Sequence, residues 1–221
     1  MFKSKRRPIV VPQSEHARLS GMLAALWGND DFDKPVFDFQ SFVLGVTLHD
    51  RGYGSIDNNP IGEMTDEAWF KTQRDGIQQG VENPVANIPS LLHMRRLLTF
   101  SHRQNTQPLI DLANQHIGQS LAHTSHTLEE FEWADHITRI CDRMAFGFSF
   151  EAPEEVERPV CQRLDSDETT VVSFSLDGSG TIHVDPWPFS VEHYAGFIIG
   201  YELEGYPQRL EPLVLPFAIA K

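Results

Sequence analysis

Polar residues suited to metal chemistry recur along the chain beside the apolar faces of predicted helices. In chain order they are His16, the adjacent pair His49 and Asp50, His102 and Asp142. Because a helical bundle brings facing helices together, we expect these side chains to meet in one buried site. Imidazole with carboxylate suits zinc, manganese, nickel, cobalt or iron better than calcium. The sequence therefore predicts a site for one or two divalent transition-metal ions.

The stretch 39–57 contains the adjacent His-Asp pair. Its apolar residues recur at helical spacing, and His49 and Asp50 continue the same face. Gly52 and Gly54 then end the predicted helix. A structural alternative has His49 cap the helix by hydrogen-bonding its last carbonyl groups, with Asp50 solvated.

Further helices are predicted from apolar spacing and from their end signals. His16 begins the apolar stripe of the first, and Asp142 lies beside the core stripe of the last. Asp135, seven residues earlier on nearly the same face, is a candidate acceptor for the outer nitrogen of a metal-binding histidine. The predicted ranges are 13–27, 66–81, 89–103, 108–123 and 128–148.

Two histidines compete on the helix predicted for 89–103. His102 shares a face with Leu91, Arg95 and Leu98, so its ring is expected to lean into the bundle. His93 lies nine positions earlier, about half a turn away around the axis, and the two rings cannot easily serve one site. We therefore favour His102 over His93.

Composition limits the partners of the chain. Its net charge of −13 argues against binding a nucleic-acid duplex or an anionic membrane surface. No stretch reaches the length needed to span a bilayer. Cys141 and Cys161 form neither a disulfide framework nor a CxxC metal motif, which favours a reduced, cytoplasmic setting.

After residue 153 the pattern changes from helical to alternating. Strands are predicted at 170–176, 181–185, 197–203 and 213–218, the last at a sheet edge because it contains Pro216. We therefore expect a mostly α fold, in which a helical bundle (1–152) carries a small C-terminal antiparallel β-sheet (153–221).

The ordered set of candidates resembles a known superfamily. His16, His49, Asp50 and Asp142 fit the H…HD…D pattern of the HD metal-dependent phosphohydrolases, and the intervening His102 resembles the second-ion ligand of the two-metal branch. The HDRGYG turn is similar to the HD-x-G pattern. At full chain length the sequence resembles domain of unknown function 3891, through QSEHARLSGMLAALWGN, HDRGYGSIDNNP, RLLTFSHRQN, ITRICDRMAFGF and VDPWPF.

This resemblance implies an HD-domain-like bundle and a metal-dependent hydrolase of a small phosphorylated molecule, with nucleotides among the candidates. Asp50 and His102 would be the catalytic residues, and Asp50 would bridge two ions. Arg51, Arg95 and Asp57 are the candidates for substrate binding, with bracing of the loop as the alternative for Asp57. The lysine that some HD enzymes carry beside the active site has no counterpart in HDRGYG, where Arg51 and Tyr53 occupy the turn.

Other classes of function remain open at this point. A two-iron site with the same ligands would make the protein an oxygenase-type oxidoreductase. A third alternative is a sensor that binds a nucleotide or metal without catalysis. The oligomeric state is also open, a homo-oligomer among the alternatives.

Overall fold

The computed structural model of the protein describes residues 1–54, 57–152, 155–166 and 168–221. Two short strands come first in the chain, the helices follow, and five further strands come last. The elements are β1 (Phe2–Lys3), β2 (Ile9–Val11), α1 (Gln13–Ala25), α2 (Phe39–Thr47), a 3-10 turn (Arg51–Tyr53), α3 (Asp66–Gln79), α4 (Pro84–Thr99), α5 (Gln107–Leu121), α6 (Leu128–Phe150), β3 (Val156–Cys161), β4 (Thr169–Leu176), β5 (Thr181–Asp185), β6 (His193–Glu202) and β7 (Pro212–Ala220).

The strands form one seven-stranded mixed sheet in the order β1-β2-β6-β7-β5-β4-β3. All neighbours are antiparallel except β5 and β7, which are parallel. The protein is 43% helix and 21% strand, an α+β fold. The predicted mostly α bundle with a small C-terminal antiparallel sheet is therefore wrong, because β1 and β2 join the sheet from the N-terminus and the sheet is large and mixed.

Proline misled the assignment of β7. Pro216 was expected to confine this strand to an edge, yet β7 lies between β6 and β5. β5 pairs with β7 only at Ala218 and Ile219, beyond Pro216, while Phe197 of β6 is opposite the proline. Pro216, which has no N–H to donate, therefore lies where β7 pairs with β6 alone, so its missing donor is not needed on the β5 side.

Side-chain caps define where several helices begin. The Asp38 carboxylate accepts from Ser41 N at the start of α2, and the Asn83 side chain accepts from two backbone N–H groups of α4. Helix α4 begins at Pro84, five residues before the predicted start, so Pro89 lies inside it. Thr127 and Glu130 form a reciprocal capping box at α6. None of the described helices is long and apolar enough to cross a membrane.

One apolar core joins the helices to the sheet. It contains Leu19 of α1, Met144 of α6, Phe174 of β4 and Ile198 of β6, all nearly inaccessible to solvent. The boundary predicted at Pro153 lies outside the described residues. The division of the chain into 1–152 and 153–221 stays a prediction.

Candidate metal centre

Four helical segments converge on one buried cluster of imidazoles and carboxylates. Its members are His16 on α1, His49 and Asp50 just after α2, His93 on α4 and Asp142 on α6. The four members other than Asp142 are at most 8% exposed. His16 and Asp142 are 126 positions apart in the chain, so the fold, and not the local sequence, brings them into contact.

The His49 ring is held in one orientation by the end of its own helix. Its Nδ1 lies 2.6 Å from the carbonyl oxygen of Val46, which can only accept, so Nδ1 carries the proton. Nε2 then faces the cluster, 3.3 Å from Asp50 Oδ2 and 3.6 Å from Asp142 Oδ1. It makes no aligned hydrogen bond to any described residue although it is fully buried. The alternative in which His49 only caps its helix thus accounts for Nδ1, which contacts Val46 O, but not for the buried Nε2.

His16 also places a ring nitrogen close to both carboxylates of the cluster. His16 Nε2 lies 2.9 Å from Asp142 Oδ1 and 3.7 Å from Asp50 Oδ2. For metal–ligand bonds of 2.0–2.1 Å, neighbouring ligand atoms of a tetrahedral ion lie roughly 3.3 Å apart. The spacings between His16, His49, Asp50 and Asp142 bracket that value. These residues therefore suit a divalent transition-metal ion in donor type and in the four spacings between histidine nitrogens and carboxylate oxygens.

His93 has a different set of partners. Its Nε2 lies 3.5 Å from Asp50 Oδ1, and its ring is 4.3 Å from the His49 ring between centroids. On the other side, Nδ1 lies 3.0 Å from Nη2 of Arg96, which in turn pairs with Asp135, and 3.7 Å from Asp142 Oδ2. Asp135 was expected to contact a histidine directly, and in the structure it reaches one through Arg96.

Burial and neighbouring charges shift the pKa values of four residues in the cluster: His49, Asp50, His93 and Asp142. Burial by itself would lower the pKa of His49, but the Asp50 and Asp142 carboxylates outweigh it and raise the pKa to about 10. Burial would raise the pKa of both carboxyls, yet contacts with the histidines hold them well below their usual range. Burial and the nearby His49 charge lower the pKa of His93. The cluster is therefore an anionic cavity that requires a positive charge, supplied by protons or by a metal ion.

A cavity of about 540 Å³ opens onto the cluster at Asp50. Its wall includes Pro12, Glu15, Thr47, Arg51 and Tyr201. This size suits a small-molecule ligand. A smaller cavity of about 300 Å³ lies between α6 and the sheet, and no member of the cluster lines it.

Arg51 contributes a cation to the wall of the larger cavity. Its Nε donates to Gly76 O at 2.8 Å and its Nη2 to Asn87 Oδ1 at 3.2 Å, both uncharged acceptors. Its Nη1 is buried and makes no hydrogen bond to a described residue. Burial lowers the pKa of Arg51 to about 10, so the guanidinium is still charged at neutral pH.

Three predicted site residues, His102, Arg95 and Asp57, do not belong to the cluster. His102 is exposed, because α4 ends at Thr99 and the helical spacing that aimed its ring inward does not continue; the expectation that it leans into the bundle is wrong. Arg95 pairs with Glu132 at 2.7 Å on the far side of α4. Asp57 accepts from Gln13 N and pairs with the amino group of Met1, so it braces the N-terminal strands.

Sequence reasoning rejected His93 in favour of His102 and missed Arg96. The cause is the misplaced start of α4, since the true start puts His93 one turn after the buried Ser90 and two turns after Ala86. Asn83-Pro84, a cap residue followed by proline in the first turn, was the signal that would have found the true start.

Comparison with known proteins gives one partial match. Residues 2–69, under a third of the chain, match the model of a family described as Protein of unknown function (DUF3891). This confirms the resemblance to that family over a segment that contains His16, His49 and Asp50. No curated protein and no solved structure matches the chain. The resemblance to the HD superfamily stays a prediction.

Proposed function

We propose that the protein is a metal-dependent hydrolase of a small phosphorylated molecule, with His16, His49, Asp50 and Asp142 as the ligands of a divalent transition-metal ion. The observation that carries this proposal is the buried Nε2 of His49. It points at two carboxylates without an aligned hydrogen bond, while Nδ1 is fixed by Val46 O. This arrangement is typical of a metal-binding histidine, in which one ring nitrogen donates to a backbone carbonyl and thereby orients the other toward the ion.

The charge balance of the site supports a phosphorylated substrate. The protein is strongly acidic, so an anion enters the cavity only where positive charge is concentrated. Arg51 and the metal ion would supply that charge on the cavity wall and at its floor. The volume of about 540 Å³ accommodates a molecule of metabolite size.

The residues have separate roles in this proposal. His16, His49, Asp50 and Asp142 hold the ion, which when bound lowers the pKa of a coordinated water and polarises a phosphoryl oxygen. Arg51, which lines the cavity, binds the anionic group. Asn87 and Gly76 hold the Arg51 guanidinium in place from behind, through Nη2 and Nε.

Hydrolysis of a panel of phosphomonoesters, phosphodiesters and nucleotides, with Mn²⁺, Ni²⁺, Co²⁺ or Zn²⁺ added, tests the activity. We expect turnover of at least one compound by wild type, and a loss of at least about a hundredfold in Asp50→Asn, because metal assistance is worth several kcal/mol. No turnover by a folded, metal-loaded wild type would contradict the proposal and favour a non-catalytic sensor. Oxygen consumption by a protein that carries two irons would instead favour an oxidoreductase.

The role of Arg51 has a matched control in the same chain. Arg51→Met should lower kcat/KM by about 10–100-fold, because a hydrogen bond to a charged group is worth about 1.5–3 kcal/mol. Arg95→Met removes an arginine that pairs with Glu132 away from the cavity, and it should leave kcat/KM unchanged. Equal effects of the two variants would remove Arg51 from the substrate site.

A further inference from the structure

His93 lies close enough to Asp50 and His49 to be counted as a third ligand or as a ligand of a second ion. The contact on its other ring nitrogen bears on that assignment. Two groups face His93 Nδ1: Arg96 at 3.0 Å and Asp142 Oδ2 at 3.7 Å. Arginine carries only N–H donors and keeps its charge in proteins, so the shorter contact, within hydrogen-bond distance, has His93 Nδ1 accept. In a neutral ring the proton then sits on Nε2, the nitrogen that faces Asp50.

A protonated nitrogen has no lone pair for a metal ion. His93 Nε2 is therefore a donor toward Asp50 Oδ1, at 3.5 Å. The other oxygen of the same carboxylate, Oδ2, faces His49 at 3.3 Å and His16 at 3.7 Å. The two oxygens of Asp50 are thus divided between His93 and the ligand cluster.

His49 provides the contrast within the same site. Its Nδ1 faces a carbonyl oxygen and carries the proton, which leaves Nε2 as the lone-pair nitrogen of the neutral ring. His93 faces a guanidinium and has the opposite tautomer. Two histidines whose rings lie 4.3 Å apart are therefore prepared for opposite tasks, one as a ligand and one as a donor.

The donor is held from behind by an ion pair. Arg96 pairs with Asp135 of α6, and both side chains are 16% exposed. Asp135, Arg96, His93 and Asp50 thus form a continuous chain of contacts from the surface of α6 to the cluster. Arginine in such a chain has a fixed charge and a fixed fork of donors, so it sets the acceptor role of His93 Nδ1.

We propose that His93 is a positioning residue and not a metal ligand: its tautomer, fixed by the Asp135–Arg96 pair, orients Asp50 so that the site binds one ion per chain. This inference rests on the metal site proposed above. It excludes the two-ion arrangement in which Asp50 bridges.

The first experiment reads the tautomer directly in the metal-free wild type. Long-range proton–nitrogen correlation NMR of the ¹⁵N-histidine protein should show His93 as a neutral ring protonated on Nε2. His49 should be protonated on Nδ1 and, because the neighbouring carboxylates raise its pKa to about 10, on Nε2 as well until a metal ion binds. Arg96→Leu should remove the fixed Nε2 state of His93, and Arg96→Lys, which keeps a donor, should restore it at least in part. A His93 ring protonated on Nδ1 in wild type would overturn the proposal, whatever the protein hydrolyses.

The second experiment titrates Co²⁺ into wild type, His93→Ala and His93→Gln. We expect one ion per chain and the same visible Co²⁺ spectrum in all three, with affinity about 10–100-fold weaker in His93→Ala, as for loss of an outer partner of a ligand. His93→Gln, which retains an N–H donor, should recover part of the affinity. Two ions in wild type with one lost in His93→Ala, or a changed Co²⁺ spectrum, would overturn the proposal.

The two experiments separate this inference from the proposed function. A wild type that binds no Co²⁺ would contradict the metal-dependent hydrolase and, with it, the one-ion site. A wild type that binds one Co²⁺ with the expected His93 tautomer but hydrolyses no phosphoester would contradict the function alone.

Discussion

At the scale of single residues, the partners of each ring nitrogen and each thiol decide what a side chain can do. Cys141 and Cys161 illustrate this, since neither takes part in a disulfide bond. Cys141 is fully buried on α6 next to Asp142, and burial raises the pKa of its thiol far above the usual range. Cys161 is half-buried at the end of β3, where its Sγ lies 3.5 Å from His136 Nε2. The thiolate is the reactive form, so the two cysteines should differ in reactivity.

Thiol labelling of the native protein checks this difference. We expect one cysteine per chain to react with an aromatic disulfide reagent at pH 8, and two after denaturation. Cys161→Ser should abolish the native reaction, and Cys141→Ser should leave it unchanged. Fast native labelling of Cys141 would show that α6 packs less tightly than the structure indicates.

The convergence of four candidate residues was predictable from residue type and order, and their role as metal ligands stays a prediction. His16, His49, Asp50 and Asp142 meet in the structure, although α2 ends at Thr47 and the helical face that led to the pair stops short of it. His93 was not predictable in the same way, because its role depends on Arg96 and on where α4 begins. Long-range contacts of that kind leave no periodic signal.

At the scale of elements, a close approach between α2 and α4 brings His49 next to His93. Gly45 of α2 faces the backbone of α4, and a Cβ there would stand 2.4 Å from the carbonyl oxygen of Ala86. Ser90 Oγ donates to Gly45 O at 2.9 Å across the same contact. The missing side chain thus lets the two helices pack at backbone distance.

Gly45→Ala tests this packing, and Gly118→Ala is its matched control. The new methyl group of Gly45→Ala forces the helices apart, so we expect a loss of about 1–3 kcal/mol in the free energy of unfolding. Gly118 lies on the exposed side of α5 with nothing within 4 Å of an added Cβ, and its substitution should stabilise by about 0.5–1 kcal/mol. Urea denaturation measures both changes. A neutral or stabilising Gly45→Ala would contradict the close approach.

The helices were more predictable than the strands. The ranges expected for α1, α3, α5 and α6 agree with the structure to within two residues at each end, because amphipathic spacing and caps are local signals. β1 and β3 pair with the next strand along the chain, whereas β2 also has a partner far along it. β2 pairs with β6, with Ile9 opposite Glu202. Pairing over that separation cannot be read from either strand alone.

At the scale of the whole molecule, the N-terminal strands are tied to the end of α6. Glu151, which ends α6 in the left-handed conformation, accepts from Arg7 Nε at 2.9 Å and from the Ser4 hydroxyl. Lys5 N donates to Phe150 O at 2.9 Å in the same place. Burial would raise the pKa of Glu151, but the Arg7 and Ser4 contacts outweigh it and lower the pKa.

A lowered carboxyl pKa means that this contribution to stability is present above the ordinary value of 4.5 and is lost as the pH falls through the folded pKa. Glu151→Gln should therefore destabilise the protein at pH 7, by about 0.5–1 kcal/mol because Arg7 is half exposed. The difference from wild type should shrink below pH 4.5. Glu211→Gln, in an exposed pair with Arg209, is the control and should change stability little at either pH. A difference in stability that does not change with pH would show that Glu151→Gln acts through packing and not through the loss of the carboxylate charge.

The metal content of the purified protein tests the central claim most directly. Wild type purified without chelator, or dialysed against Mn²⁺ or Zn²⁺, should carry one ion per chain by elemental analysis. The nearly isosteric Asp142→Asn and the variant His49→Gln should lose it, since few ligands hold the ion and each contributes strongly. His102→Gln, at an exposed histidine outside the cluster, should retain it. Full occupancy in folded His49→Gln and Asp142→Asn, or an ion lost from His102→Gln, would contradict the account.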